Sequence, residues 1–142
     1  MPLWVYVRLV LVLAVAVSAC LAPLEPRATP PIGWGTLVFV FVFFLVGLVP
    51  ILALQRFNRW SAPTWHRPSW KLNPLSFREP LQFFHLCAWV FLAQGAVTLF
   101  RLLISSASFY VEALVPLVMG VSTMLGIRLS MFMFRSKMAS GT

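Results

Sequence analysis

Acidic side chains are scarce in this sequence. Its 142 residues contain three Asp and Glu residues against eleven Lys and Arg residues, and only two histidines. Charged residues make up 10% of the chain, whereas a soluble domain has about a quarter. Catalysis needs positioned carboxylates, imidazoles, thiols or metals, and we find no paired carboxylates, no Ser/His/Asp set and no cofactor motif. The sequence therefore predicts a protein that is not an enzyme, with no catalytic residues, no metal site and no cofactor.

Cysteine is also rare, and the two cysteines form no motif. A Cys-x-x-Cys pattern is absent, which argues against a disulfide-exchange enzyme. Cys20 lies at the end of the first apolar segment and Cys87 near the start of the third. If these segments cross a membrane, the two thiols lie on opposite sides of it, too far apart to form a disulfide.

Apolar residues are in large excess. They make up 61% of the chain, and the mean hydropathy is +0.91, which excludes an ordinary soluble domain and a disordered chain. A helix needs about 20 residues to cross a bilayer core of about 30 Å, and isolated strands cannot cross it. The sequence predicts one domain, an all-α integral membrane protein with four transmembrane helices in an antiparallel bundle. The predicted spans are about 3–22, 32–54, 81–104 and 109–134.

Positive charge is unevenly distributed between these segments. If the helices alternate in direction, nine of the eleven basic residues lie on one side of the membrane and only Arg27 and Arg101 on the other. The positive-inside rule then places both termini and the loop 55–80 in the cytoplasm. The Ala-, Val- and Arg-rich composition is typical of a bacterium with a GC-rich genome. We therefore expect a multi-pass protein of the bacterial cytoplasmic (inner) membrane.

The cytoplasmic loop carries the most distinctive pattern. Tryptophan recurs every five residues, and the prolines between exclude a long helix. The candidate interaction residues are Trp60, Trp65, Arg67, Trp70 and Lys71. Two interpretations remain open, an interfacial belt that binds anionic lipid headgroups and a docking surface for a membrane protein partner or a second copy. Nucleic acid is not an expected partner, because the loop is short and attached to the membrane at both ends.

Arg101 and Glu112 form a second candidate pair. Arg101 lies late in the third predicted span and Glu112 early in the fourth, so a hairpin turning near residue 106 brings them to similar depth. A charge near the bilayer is costly unless it is paired or reaches the interface. The pattern predicts an ion pair that clamps the hairpin. A substrate or proton site is the alternative.

His85 lies one turn inside the third predicted span. A membrane histidine can ligate haem or relay protons. Haem held by two histidines of one chain would need a second histidine in the membrane, and the other histidine, His66, lies in the loop. A hydrogen-bonded packing role for His85 is therefore the favoured interpretation.

Cys20 also belongs to a second pattern. Val17-Ser18-Ala19-Cys20 follows an apolar run and resembles the lipobox of bacterial lipoproteins. The resemblance implies a lipidated Cys20 and cleavage before it, which would remove the first span. The segment before it departs from the lipoprotein pattern, because Arg8 is its only basic residue. Lipidation and retention of the whole span are both open.

Small residues at intervals of four predict close contact between helices. They form one ridge in the first span and one in the fourth, namely Ala14, Ser18 and Ala22, and Ser122, Gly126 and Ser130. The second span is instead bulky and rich in phenylalanine, which favours contact with lipid or a partner. Pro50 and Pro116 predict kinks in spans two and four.

These features together favour a protein that works by association. The leading hypothesis is an accessory or assembly subunit of a larger membrane complex. A small transporter or channel-like protein is an alternative, but it should carry a carboxylate near the bilayer midplane, and Glu112 lies near an edge. An immunity-type protein against a membrane-active toxin is a further alternative, by analogy of size and architecture alone.

Overall fold

A computed structural model describes residues 2–25, 32–57, 65–76, 78–105, 108–135 and 138–139. The long elements are helical, and two strands of two residues each complete the fold. In chain order they are α1 (Leu3–Leu21), α2 (Trp34–Val46), α3 (Leu48–Phe57), β1 (Trp65–His66), α4 (Pro80–Ile104), a 3₁₀ helix (Val111–Leu114), α5 (Val115–Met133) and β2 (Met138–Ala139).

The four expected long apolar helices are present. They have the length and composition to cross a membrane, so the helical class is confirmed and a multi-pass membrane protein is supported. The second span joins α2 to most of α3, and the fourth joins the 3₁₀ helix to α5. The spans are Leu3–Leu21, Trp34–Leu54, Pro80–Ile104 and Val111–Met133.

Proline and glycine set the helix boundaries. Ala22, which precedes Pro23, is extended with φ −70° and ψ 146°, as expected for a residue before proline. Pro50 has no N–H to donate to the carbonyl of Val46, and α2 ends there with Gly47 between it and α3. Pro116 does not interrupt a long helix. It lies in the first turn of α5, where a missing N–H costs little.

The spans pack in an open row. α4 packs against both α1 and α5, and α5 also packs against α2, where Phe44 of α2 also reaches Phe91 of α4, with ring centroids 6.2 Å apart. Within the described ranges α1 and α2 share no more than marginal contacts. The order is therefore α1, α4, α5, α2, in contrast to a ring in which α1 would also pack against α2.

Two glycines allow α4 and α5 to approach closely. A Cβ atom on Gly95 would come within 2.6 Å of the Leu117 backbone nitrogen, and one on Gly120 within 2.8 Å of the Leu92 side chain. Both distances are shorter than a van der Waals contact. Small residues are therefore required at these two positions if the helices keep their separation.

The two predicted ridges of small residues differ in their surroundings. Ser122, Gly126 and Ser130 are buried on α5, and a Cβ on Gly126 would meet the carbonyl oxygens of Phe44 and Leu45 at 2.8 and 2.7 Å. On α1, by contrast, Ala14 and Ser18 are exposed and Ala22 is half-buried. Gly126 of the α5 ridge packs against α2, whereas two of the three α1 ridge residues are exposed in the part of the chain that the structure describes.

An apolar core lies where the cytoplasmic loop of the sequence interpretation meets the helices. Trp65 of β1 is 2% exposed and its ring lies 5.4 Å from that of Phe134, edge to face. β1 pairs in parallel with β2, Trp65 opposite Met138. This strand pair was not expected from the sequence. The buried members of the core are Leu48, Leu52, Trp65, Leu81, Ile127 and Phe134.

Candidate functional site

Arg8 is buried in the first span and joins three parts of the chain. Its side chain has no exposed surface. The guanidinium lies 2.8 Å from His85 Nδ1 and donates to the Leu72 carbonyl at 2.9 Å and to Gln82 Oε1 at 3.5 Å. We call these four residues, with Trp70, the Arg8 network. Within the described ranges these hydrogen-bond partners of Arg8 are neutral groups, and its buried Nε has no partner there.

Gln82 attaches the loop to α4. The side chain is fully buried, and its Nε2 donates to the carbonyls of His66 and Arg67, both at 3.1 Å. Its Oε1 accepts from the Ser69 N–H at 3.0 Å as well as from Arg8. One amide therefore satisfies three backbone groups of the loop, and the orientation is unambiguous because donors and acceptors would clash if it were reversed.

His85 receives competing donors. Arg8 approaches Nδ1 at 2.8 Å, and the Trp89 indole N–H approaches Nε2 at 3.2 Å. A neutral imidazole has one acceptor nitrogen, so only one bond forms, and the shorter charge-assisted contact with Arg8 prevails. His85 Nε2 then carries the proton. Metal-ligating histidines show the reverse arrangement, because their second nitrogen donates to an acceptor.

Other described residues of the loop also contact this network or α4. The Trp70 ring lies 6.0 Å from the Arg8 guanidinium carbon and 5.4 Å from the Trp89 ring, within the range of cation–π and aromatic contacts. His66 Nδ1 lies 2.7 Å from Glu79 Oε1, and the His66 N–H donates to Glu79 Oε2. A carboxylate only accepts, so Nδ1 carries the proton.

The predicted interaction residues of the loop have different environments. Arg67 and Lys71 are exposed, Trp70 is half-buried and Trp65 belongs to the apolar core. Trp60 lies outside the described residues. The two described tryptophans of the five-residue pattern thus hold the loop against the helices, and the exposed part of the predicted surface is basic.

A polar cavity lies at the opposite end of the helices from the Arg8 network. Its volume is about 130 Å³, and it is bounded by the end of α1, the following turn, α4 and the 3₁₀ helix. We call it the Arg101 cavity. Its polar and charged lining residues are Glu25, Gln94, Thr98, Arg101, Tyr110 and Glu112.

Arg101 caps the end of α1. Its guanidinium donates through one nitrogen to the carbonyls of Ala19 and Ala22, in the last turn of the helix, where carbonyls lack helical partners and the dipole is negative. Arg101 and Glu112 line the same cavity, which agrees with their expected depth. The ion pair between them stays a prediction.

Cys20 lines an apolar groove beside this cavity. The groove holds about 480 Å³ and is bordered by Ala96, Val97, Phe100 and Ile104, with Arg101 at its polar edge. Cys20 is exposed and Cys87 half-buried. Cleavage before Cys20 would remove Arg8 and leave the acceptors of Gln82 and His85 without their buried donor. Lipidation of Cys20 and retention of the first span both stay predictions.

The sequence analysis selected the loop tryptophans and the Arg101–Glu112 pair as candidate functional residues. It did not identify Gln82. The available signal was an amide side chain within an apolar helix, but such a residue has no periodic pattern to reveal its partners. Among the residues that the structure describes, no group of three or more His, Cys, Asp or Glu side chains is placed to hold a metal ion. No family model, curated protein or solved structure matches the chain.

Proposed function

We propose that this chain is a non-catalytic membrane protein that works by association, as an accessory or assembly subunit of a larger membrane complex. The open row of spans carries the proposal. The two outer helices of the row, α1 and α2, each pack extensively on one neighbouring span. Only 11% of the α1 segment is buried, against 33% of the fourth span. A partner helix beside α1 or α2 would complete the packing.

The α1 ridge supports a protein neighbour over lipid alone. Ala14 and Ser18 are small and exposed. In a membrane the hydrophobic effect does not drive helices together, and close approach between small residues supplies much of the contact energy. The equivalent ridge on α5 is filled by α2. By the same logic, the α1 ridge is the surface where a helix from another protein would fit.

The orientation follows from register and charge. Leu92 lies beside Gly120 and Gly95 beside Leu117, a register that supports antiparallel α4 and α5. The exposed basic residues Arg67 and Lys71 lie at the Arg8 end. We assign that end and both termini to the cytoplasm of a bacterium, with the chain in the inner membrane and its basic loop against anionic lipid headgroups.

Native mass spectrometry of the protein extracted from its own membrane in mild detergent tests the association. The expected result is a stoichiometric complex that contains this 16.0 kDa chain and at least one different membrane protein. Recovery only as a monomer, or only as multiples of this mass, would contradict the accessory role.

A pair of variants tests the proposed surface. Ser18→Leu fills the α1 ridge and should lower the yield of the complex about tenfold, because a partner helix can no longer approach closely. Val17→Leu is the matched control, since Val17 is also exposed on α1, at 57%, and is already bulky. Equal yields from the two variants would remove the ridge from the interface.

A further inference from the structure

We propose that the partner contributes a transmembrane helix that lies between α1 and α4 and carries a neutral hydrogen-bonding side chain, which pairs with Gln94. This inference rests on the proposed function and adds the chemistry of the partner. Gln94 is an exposed residue of α4. It lies ten residues before the end of that helix at Ile104, roughly 15 Å at a rise of about 1.5 Å per residue. The amide is therefore near the middle of a bilayer core of about 30 Å.

The Gln94 amide has no hydrogen-bond partner among the residues that the structure describes. Ser122 and Thr123 of α5, by contrast, donate to carbonyls of their own helix at 2.6 Å. Gln82, the other glutamine of α4, uses both its oxygen and its nitrogen on the loop. Hydrocarbon offers no hydrogen-bonding group, so an unpaired amide is costly there. The position of Gln94 therefore indicates that a polar group from another molecule meets it.

The register of α1 against α4 brings the α1 ridge to the depth of Gln94. The side chains of Arg8 and Arg101 connect α1 to α4 through residues that are 74 to 82 positions apart. Ala14 precedes Gln94 by 80 positions, which lies within this interval. The small residues that allow a helix to approach α1 are thus level with the unpaired amide of α4.

The ridge and the amide also face the same side of the molecule. Ala22 of the α1 ridge lines the Arg101 cavity together with Gln94 and Thr98. Ala14, Ser18 and Ala22 are four residues apart and so share one face of α1. Within the described ranges α1 and α2 share no more than marginal contacts, so α2 does not close this side. We call the surface formed by Ala14, Ser18, Gln94 and Thr98 the α1–α4 crevice.

The crevice specifies the partner by its shape and by its hydrogen bonds. A helix fits closely against Ala14 and Ser18 because both side chains are small. Gln94 offers a donor and an acceptor, so Asn, Gln, Ser or Thr at the matching depth would pair with it. A lipid acyl chain could cover the same surface, but it has no group that satisfies the amide. A charged partner is disfavoured, because an amide cannot neutralise a charge in the membrane.

The variant Gln94→Met tests the hydrogen bond, because methionine has a similar length and neither the donor nor the acceptor. The isolated chain should keep the wild-type Tm, since the amide has no partner there to lose. In native mass spectrometry the yield of the complex with the partner should fall about three- to tenfold, in keeping with the modest strength of hydrogen bonds between membrane helices.

Phe100→Met is the matched control. It introduces the same side chain on the side of α4 that borders the Cys20 groove, and it should keep the wild-type yield. Equal yields from the two variants, with the complex still formed, would overturn this inference alone. If even the wild type formed no complex with another protein, both this inference and the proposed function would fail.

Photo-crosslinking locates the partner residue within the complex. Benzoylphenylalanine in place of Leu11, which is 41% exposed on the ridge face one turn before Ala14, should cross-link to the partner subunit. The cross-linked peptide should be a transmembrane segment that contains Asn, Gln, Ser or Thr about one turn from the cross-link. The same probe in place of Phe100 should not reach that segment. Cross-links to a second copy of this chain, to lipid alone or to a purely apolar segment would overturn the proposal.

Discussion

Single residues determine how closely α4 and α5 approach each other. Gly95 is buried on α4, and the position of a hypothetical Cβ, 2.6 Å from the Leu117 nitrogen, leaves no room for a methyl group. The obstacle is backbone, which cannot rotate aside as a side chain can. Gly35 of α2, in contrast, has nothing within 4 Å of the equivalent point. The chain therefore offers one glycine without space for a methyl group, Gly95, and one with space for it, Gly35, as a matched control.

Gly95→Ala should destabilise the protein by about 1–3 kcal/mol, the usual range for overpacking, since α4 and α5 must separate to admit the methyl group. Gly35→Ala should change stability by less than about 0.5 kcal/mol, as exposed substitutions generally do. Unfolding in mixed detergent micelles measures both. Similar stabilities for the two variants would show that the α4–α5 contact tolerates a wider separation.

At the scale of elements, the described part of the loop between the second and third spans is folded against the helices. Gln82 binds three of its backbone groups, Arg8 binds a fourth at Leu72, and β2 pairs with β1. A buried backbone group without a partner costs about 1–3 kcal/mol. The loop thus depends on one side chain of α4 as well as on its own tryptophans.

Gln82→Leu should release the loop, because it leaves the carbonyls of His66 and Arg67 and the Ser69 N–H without partners. Limited trypsin digestion measures this, since Lys71 is exposed and is followed by Leu72, and we expect cleavage there at least about tenfold faster than in the wild type. Gln94→Leu, the same change at the other end of α4, should leave the rate unchanged. Slow cleavage of the Gln82 variant would mean that the apolar core alone holds the loop.

The elements differ in how far the sequence could predict them. The apolar runs predict the spans closely, because hydrocarbon thickness imposes a length and excludes polar groups. The capping of α1 by Arg101 could not be predicted from the sequence, because every residue type has a backbone carbonyl and none identifies the side chain that will cap it. The strand pair was missed for a related reason, since two-residue strands joined across distant segments have no periodicity. Trp65 was read as a surface residue because its spacing resembled an interfacial motif.

At the scale of the whole molecule, the sequence contains no signal for the order of the helices in the row. Hydropathy gives each span separately, and the neighbours depend on side-chain fit such as that of Gly126 against Leu45. The sequence predicts the two charged ends of the molecule better than it predicts the order of the helices. The Arg8 end carries the ordered basic loop, and the Arg101 end carries the cavity with two of the three acidic residues.

The native cysteines test the proposed orientation. Cys20 is exposed near the Arg101 end and Cys87 is half-buried near the Arg8 end. In spheroplasts, which keep only the inner membrane intact, a membrane-impermeant maleimide should label Cys20 and not Cys87. Cys20→Ser should then abolish labelling, and Cys87→Ser should leave it intact. Labelling that depends on Cys87 would reverse the assigned topology, and an unreactive Cys20 of increased mass would indicate lipidation.

The Arg8 network also has a consequence for the order in which the protein is made. Arg8 is synthesised 64 residues before Leu72 and 77 before His85. At roughly 5–20 residues per second on the ribosome, the nascent first helix waits on the order of 3–15 s with its arginine unmatched. During that interval the long side chain must reach toward the headgroups. Once α4 is inserted, the Arg8 side chain turns inward to bind its partners there. The first helix to enter the membrane is therefore among the last to be fixed in place.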